Sequence, residues 1–286
     1  VGIISPAGPV NKTDLLPGLE MLASSGLEVR VASHVYSRRG YLAGPDEARI
    51  EDLHAMFSDP KIKAIFCSRG GYGCMRLLNR VHYEVIRANP KIFVGYSDIT
   101  ALLCAIHAKT GLVTFHGPMV KDLASTNDAN LENMLGLIHS GRPLNLPLKA
   151  GTVLIPGQVE GPLIGGNLSL ICHLLGTPFL PSLAGRILFL EEKGESLYRL
   201  DRMLTQLALS GQLEVLGGFL AGGFQGCSDA SRINGLISEI FSGLEIPAVT
   251  GLPVGHGQKN MTLPMGVAAQ LNTELMQLSI SESCVK

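Results

Sequence analysis

The chain contains no run of lysine and arginine, and its formal net charge is −1 at pH 7 with an isoelectric point near 6.8. It therefore lacks the electrostatic field needed to grip a polyanion or an anionic lipid surface, and nucleic-acid binding is not expected. No apolar stretch approaches the roughly 20 residues a helix needs to cross a bilayer, so no membrane span is expected either. The six cysteines, at positions 67, 74, 104, 172, 227 and 284, form no C-x-x-C pair and have no partnering histidine spacing. Their dispersal through apolar runs reads as reduced core thiols rather than a stapled secreted scaffold. The opening Val1-Gly2-Ile3-Ile4 already reads as a strand, with no basic segment leading into an apolar one. No leader is expected, and the expected location is the cytoplasm.

What is present is a chain of 286 residues, 46% hydrophobic and 16% charged, too apolar for disorder. Its length predicts two compact units. The first half alternates β-branched runs with helical patterns. VGIIS, LEVRVAS, KIKAIFC, IFVGY and LVTF read as strands. The stretches around Asp14 to Ser25, from Pro45 to Phe57, and DITALLCAIHAKTG read as helices. Such alternation predicts an α/β fold with a mostly parallel sheet, whose functional loops follow the strands KIKAIFC and IFVGY. Between about positions 141 and 160 the chain becomes rich in glycine and proline, and the domain boundary is placed there. This gives units 1–145 and 146–286, the second of mixed α/β type.

Gly95-Tyr96-Ser97-Asp98 lies between a predicted strand and a predicted helix. A turn there would lift the Ser97 hydroxyl from the sheet edge, and the Asp98 amide with the helix dipole could stabilise an oxyanion. The elbow pattern G-x-S-x-G is only partly met, since Ile99 stands at the second glycine, and serine is also a favoured helix N-cap. Taken alone, the tetrapeptide favours the cap. Ser68-Arg69-Gly70-Gly71-Tyr72-Gly73 follows KIKAIFC, and its glycines let bare N–H groups approach a ligand, as an oxyanion donor, a phosphate cradle or simply a tight turn. Among eight histidines, 107, 139 and 173 fall inside helical patterns. His256, in a polar Gly-His-Gly-Gln loop, and His116, in Phe-His-Gly-Pro, remain as candidate bases. Glu191, Glu192 and Glu195 follow the apolar strand RILFL, where a carboxylate could orient an imidazole or merely face solvent.

The segments SPAGPV, SRGGYG, VGYSDITALL, TFHGP, EGPLIGGNLSL with GTP, ILFLEEKGESLYRLDRML and GHGQKNMTLPMG occur in this order over nearly the whole chain. Together they resemble the LD-carboxypeptidases, or muramoyltetrapeptide carboxypeptidases, of serine peptidase family S66. The resemblance implies an N-terminal flavodoxin-like domain carrying the nucleophile Ser97 and a smaller C-terminal domain carrying Glu191 and the base His256. It also implies oxyanion amides at Gly71 and Asp98, no metal or other cofactor, and a homodimer. Its substrate would be the murein tetrapeptide, cut between the L-centre of diaminopimelate and the terminal D-Ala during cell-wall recycling. Arg69 is a candidate grip for the terminal carboxylate.

Two other readings remain. Microcin C self-immunity peptidases of the same family cleave an aminoacyl or peptidyl nucleotide, and are expected to need an aromatic platform for the base. This chain has no tryptophan and only 5% aromatic residues. A non-catalytic nucleotide- or sugar-binding protein would use the glycine loop and the helix start at Ser97 as an anion site, with no reason for Glu191 and His256 to converge there.

Overall fold

The computed structural model describes residues 1–140, 142–148 and 150–285. Positions 141 and 149 of the predicted linker lie outside the described residues. Strands β1 (Gly2–Ile4), β2 (Arg30–Val31), β3 (Ala64–Cys67), β4 (Ile92–Gly95) and β5 (Thr114–His116) alternate with helices α1 (Lys12–Ser24), α2 (Asp46–Ser58), α3 (Tyr83–Ala88) and α4 (Thr100–Thr110). Helices α5 (Val120–Leu123) and α6 (Asp128–Ser140) follow. Next come β6 (Leu144–Pro147), β7 (Val153–Ile155), β8 (Gln158–Asn167), α7 (Leu168–Leu174), β9 (Ile187–Lys193), α8 (Leu197–Leu209), β10 (Gly218–Gln225), α9 (Ala230–Ile240) and β11 (Ala248–Thr250). The strands β12 (Leu263–Met265), β13 (Ala268–Asn272) and β14 (Gln277–Ile280) complete the fold.

Among the described residues the strands form two sheets. The first has the order β12-β5-β4-β3-β1-β2; β1 to β5 are parallel and β12 is antiparallel to β5. The parallel part therefore has the 2-1-3-4-5 order of a flavodoxin-like sheet, whose ligand crevice lies beyond the carboxyl ends of its strands. Strands β3 and β4 are buried almost throughout, as β-branched and aromatic runs covered by helices on both faces must be. The second sheet, β6-β14-β13-β8-β9-β10-β11-β7, is parallel from β8 to β11 and antiparallel outside that block.

The segment LYRLDRMLTQLAL, whose leucines recur at helical spacing, forms α8, with Leu200, Leu204 and Leu207 buried along one stripe. LEVRVAS pairs over only two residues, because Arg30 and Val31 form the sheet edge beside β1. The stretch opening at Asp98 begins as a 3-10 turn over Ser97–Ile99, and α4 ends at Gly111 in a left-handed conformation, φ 74°. Strand β12 lies far along the chain yet joins the first sheet, Leu263 opposite His116. The segment between β11 and β12 must therefore run from the second sheet to the first, and it carries His256.

Candidate active site

Ser97 follows β4 and has φ 62°, a left-handed conformation that a residue with a side chain adopts only under strain. It is partly exposed between the buried Tyr96 and Asp98. The turn therefore does what an elbow does without a glycine two residues on: it projects one hydroxyl from an otherwise buried stretch. Asp98 turns inward, where its Oδ2 accepts the Cys74 N–H at 2.9 Å, and burial raises its carboxyl pKa. The Asp98 side chain thus ties the serine turn to the end of the glycine loop.

That loop lies directly against Ser97. A Cβ placed on Gly70 would come within 2.9 Å of Ser97 Cβ and 3.0 Å of its Oγ. Gly71, at φ 125°, packs on Gly8, and Gly8 N–H donates to Gly70 O at 3.2 Å. Neither the Gly71 N–H nor the Asp98 N–H donates to another group among the described residues. Arg69 Nε donates to Gly70 O at 3.2 Å and its Nη1 to Pro9 O at 3.3 Å, so the guanidinium fork is partly engaged by backbone carbonyls.

The clamp on these loops is Arg49, which the sequence analysis did not single out. It is 2% exposed, donates to Pro6 O and to Gly73 O, and pairs with Asp46. One buried cation thus holds the loops after β1 and β3 together, its charge answered by a buried carboxylate as burial demands. Its sequence signal was present: Arg49 lies four residues before the core residue Leu53, on the inward face of α2.

Glu191 is fully buried on β9, and its Oε2 lies 2.7 Å from His256 Nδ1, 65 residues away in sequence. Its other oxygen, Oε1, has no hydrogen-bond partner among the described residues. Neighbouring side chains on a strand face opposite ways, and Glu192 accordingly serves a different purpose. It accepts from Asn167 Nδ2 at 2.8 Å and from Ser169 N and Oγ at 2.9 and 2.7 Å. Glu195, further on, forms an exposed pair with Arg199 at 3.2 Å. Gly255, at φ 121°, admits the imidazole: a Cβ there would stand 3.0 Å from Glu191 Oε2.

His256 also meets the Tyr96 ring, centroids 4.8 Å apart, and so reaches the residue immediately before Ser97. No Ser97 Oγ to His256 hydrogen bond is present among the described residues. With Nδ1 occupied by Glu191, the imidazole has Nε2 available as the proton acceptor. The competitor His116 is at the end of β5, 0% exposed, between Phe189 at 5.2 Å and Tyr96 at 5.7 Å. Burial, and secondarily the charge of His256, lowers its pKa to about 3, so it stays neutral and packed.

A polar cleft of about 410 Å³ opens beside His256, with Tyr96, Asp122, Asn130 and Gln225 on its walls. Burial raises the Asp122 carboxyl, which also interacts with the Tyr96 hydroxyl. Tyr96 stood inside the Gly-Tyr-Ser-Asp turn without a role of its own and Asp122 lay in no motif, so only tertiary contact reveals what they do. No group of three or more histidine, cysteine, aspartate or glutamate side chains able to hold a metal occurs among the described residues.

The family model described as LD-carboxypeptidase N-terminal domain matches residues 1–117, and that described as LD-carboxypeptidase C-terminal domain matches residues 160–271. The chain is 38% identical to the probable murein peptide carboxypeptidase of Bacillus subtilis, over 100% of this chain and 94% of that protein. It is 36% identical to the murein tetrapeptide carboxypeptidase of Pseudomonas aeruginosa, over 95% and 92%. The microcin C7 self-immunity protein MccF of Escherichia coli is 28% identical over 99% and 93%. A solved muramoyltetrapeptide carboxypeptidase from Oxalobacter formigenes superposes with a TM-score of 0.88 at 33% identity, covering 98% of each chain. The chain belongs to the LD-carboxypeptidases, peptidase family S66.

Proposed function

We propose that this protein is a serine LD-carboxypeptidase that removes the terminal D-Ala from muropeptide tetrapeptides, with Ser97 as nucleophile, His256 as base and Glu191 as its orienting acid. The observation that carries this reading is the 2.7 Å contact from buried Glu191 to His256, in a loop that also meets the residue before Ser97. A carboxylate behind the imidazole holds its tautomer and stabilises the imidazolium formed during reaction. A nucleophile–base hydrogen bond commonly tightens only around bound substrate.

In the proposed reaction His256 Nε2 takes the proton of Ser97 Oγ as the oxygen attacks the carbonyl of the L-centre. The Gly71 and Asp98 amides receive the oxyanion. The C–N bond then breaks, the imidazolium protonates the departing D-Ala amine, and an acyl-enzyme remains on Ser97. His256 next deprotonates a water that releases the acyl group and restores the hydroxyl. No step calls for a metal. The Arg69 donors left beyond Gly70 and Pro9 would take the terminal carboxylate of D-Ala.

Further parts of this reading are a division into units 1–145 and 146–286, a homodimer and a cytoplasmic location. The two separate sheets support the division, although β12 returns to the first. All six cysteines are free, which suits a reducing compartment; no described helix is long and apolar enough to cross a membrane. Light scattering on the purified protein tests the dimer, and cell fractionation tests the location.

The likeness to MccF favours a second reading, cleavage of an aminoacyl or peptidyl nucleotide. The absence of tryptophan weighs against it. Mass spectrometry of a muropeptide tetrapeptide and of an aminoacyl sulfamoyl nucleoside, each incubated with wild type and Ser97→Ala, separates the two. Loss of one alanine with wild type only supports the carboxypeptidase. Cleavage of the nucleoside compound alone supports the immunity reading, and equal cleavage by the variant removes Ser97 from the mechanism.

A further inference from the structure

Asn127, Asn130 and Asn133 stand three residues apart at the start of α6, a spacing that sets them in one row along the helix. All three bond to the backbone of the loop that carries His256, at separations of 128 to 131 residues. Asn127 Nδ2 and Asn130 Nδ2 both donate to Gln258 O, at 3.1 and 3.0 Å, and Asn133 Oδ1 accepts the Thr262 N–H at 2.6 Å. A carbonyl oxygen has two lone pairs, so these two donors saturate the Gln258 carbonyl, two residues after His256.

The loop has little stiffness of its own. Gly255 and Gly257 flank His256, and glycine leaves the backbone its widest freedom. Two internal bonds close it: Gly255 N–H donates to Asn260 Oδ1 at 3.1 Å, and Met261 N–H to Pro253 O at 2.9 Å. They fix the shape of the loop but not its place over the first sheet. Glu191, on the second sheet, holds only Nδ1 of the imidazole, whereas Ser97 follows β4 of the first sheet. The asparagine row joins these two frames. Helix α5, just before it in the chain, is tied to the glycine loop by Lys121 N–H donating to Ser68 O at 3.0 Å.

We propose that Asn127 and Asn130 are positioning residues of the reaction: by holding the Gln258 carbonyl they set His256 in register with Ser97, and they act through the loop rather than on the substrate. The proposal rests on the carboxypeptidase reading and deepens it, by naming what brings an acid–base pair anchored on one sheet to a nucleophile anchored on the other.

The test is the double variant Asn127→Ser/Asn130→Ala, which removes both donors. Serine is used at 127 because the Asn127 side-chain oxygen also caps α6, accepting the Asn130 N–H at 2.9 Å, and serine is a favoured cap. On a muropeptide tetrapeptide, kcat is expected to fall about ten- to hundred-fold with KM nearly unchanged, the mark of a displaced base rather than a lost substrate contact. An unchanged kcat would overturn the proposal: with a lowered urea midpoint the row serves stability alone, and with a raised KM Asn130 meets substrate as a wall of the cleft. Should the double variant not fold, Asn127→Ser carries the test, with kcat expected to fall about three- to tenfold for one lost hydrogen bond; no fall overturns the proposal. If wild type releases no alanine, the carboxypeptidase reading itself fails. Positioning is then read without substrate, from the nuclear magnetic resonance signals of the His256 ring, assigned by their loss in His256→Gln. Ring signals shifted or broadened by the asparagine substitutions sustain the proposal, and signals identical to wild type overturn it.

Discussion

Glu191 and Glu192 are chain neighbours whose carboxyls work on opposite sides of β9: the first meets His256 at 2.7 Å, and the second holds Asn167 and Ser169 at the start of α7. The pleat of a strand enforces this division. Substituting the two residues should therefore have different consequences.

Glu191→Gln keeps the shape but removes the charge that, in the proposed mechanism, stabilises the imidazolium. It is expected to lower kcat by about 10³-fold or more, as removal of an orienting carboxylate does in hydrolytic triads. Alanine release under saturating substrate measures it.

Glu192→Ala strands the Asn167 amide and both Ser169 donors in a site where Glu192 is 4% exposed. The expected cost is about 2–4 kcal/mol of folding stability, since buried donors lose a charged acceptor. Urea unfolding reads it directly. A variant whose midpoint matched wild type would contradict this role.

Gly70→Ala brings a methyl group to about 3 Å from Ser97 Oγ. With Ser97 as the proposed nucleophile, its displacement is expected to cost on the order of 10²-fold in rate, in kcat more than in KM. Steady-state kinetics on the muropeptide separate the two.

Ser97→Gly places at φ 62° the one residue that adopts this conformation without strain. It should abolish turnover yet raise stability by about 1 kcal/mol, the lower end of what a strained residue stores. The elbow would then be a site where stability is given up for an exposed hydroxyl. A thermal melt compared with Ser97→Ala tests this, because alanine retains the strain.

His116 makes acid sensitivity predictable. Burial holds its pKa at about 3 in the folded protein against 6.5 for an unperturbed histidine. Between those values the unfolded chain binds the extra proton, so stability falls as pH drops from 6.5 toward 3, by up to about 1.4 kcal/mol per pH unit. Above pH 6.5 the group contributes no pH dependence. His116→Phe, which keeps a ring between Tyr96 and Phe189, should flatten this slope in urea midpoints taken at pH 7 and pH 5.

The α/β alternation of the first half was legible because β-branched runs and helical spacing report local preference directly. Helix α8 was legible for the same reason, as its three buried leucines lie on one stripe. The seven ordered motifs named the family and singled out Ser97. The sequence by itself also determined that Ser97 would follow a strand and precede a helix; that a Cβ is excluded at Gly70 and tight at Gly255 is a property of the fold.

Which acid meets which base was decided elsewhere. Glu191, Glu192 and Glu195 are alike to any local rule, and so are His116 and His256 as polar residues beside glycine. Strand register separated the acids. The histidines were separated because β12 crosses back to pair with β5, carrying the His256 loop over the first sheet while burying His116 beneath it. Arg49 acquires its clamping role from the carbonyls of Pro6 and Gly73, 43 and 24 residues away, and Tyr96 and Asp122 acquire theirs from a cleft between distant loops. Local propensity acts over a few residues, so it determined the elements, whereas the strained turn at Ser97 runs against it and is held by the surrounding fold. Long-range pairing of strands and desolvation of charges act only in the assembled fold, and they decided which side chains became neighbours.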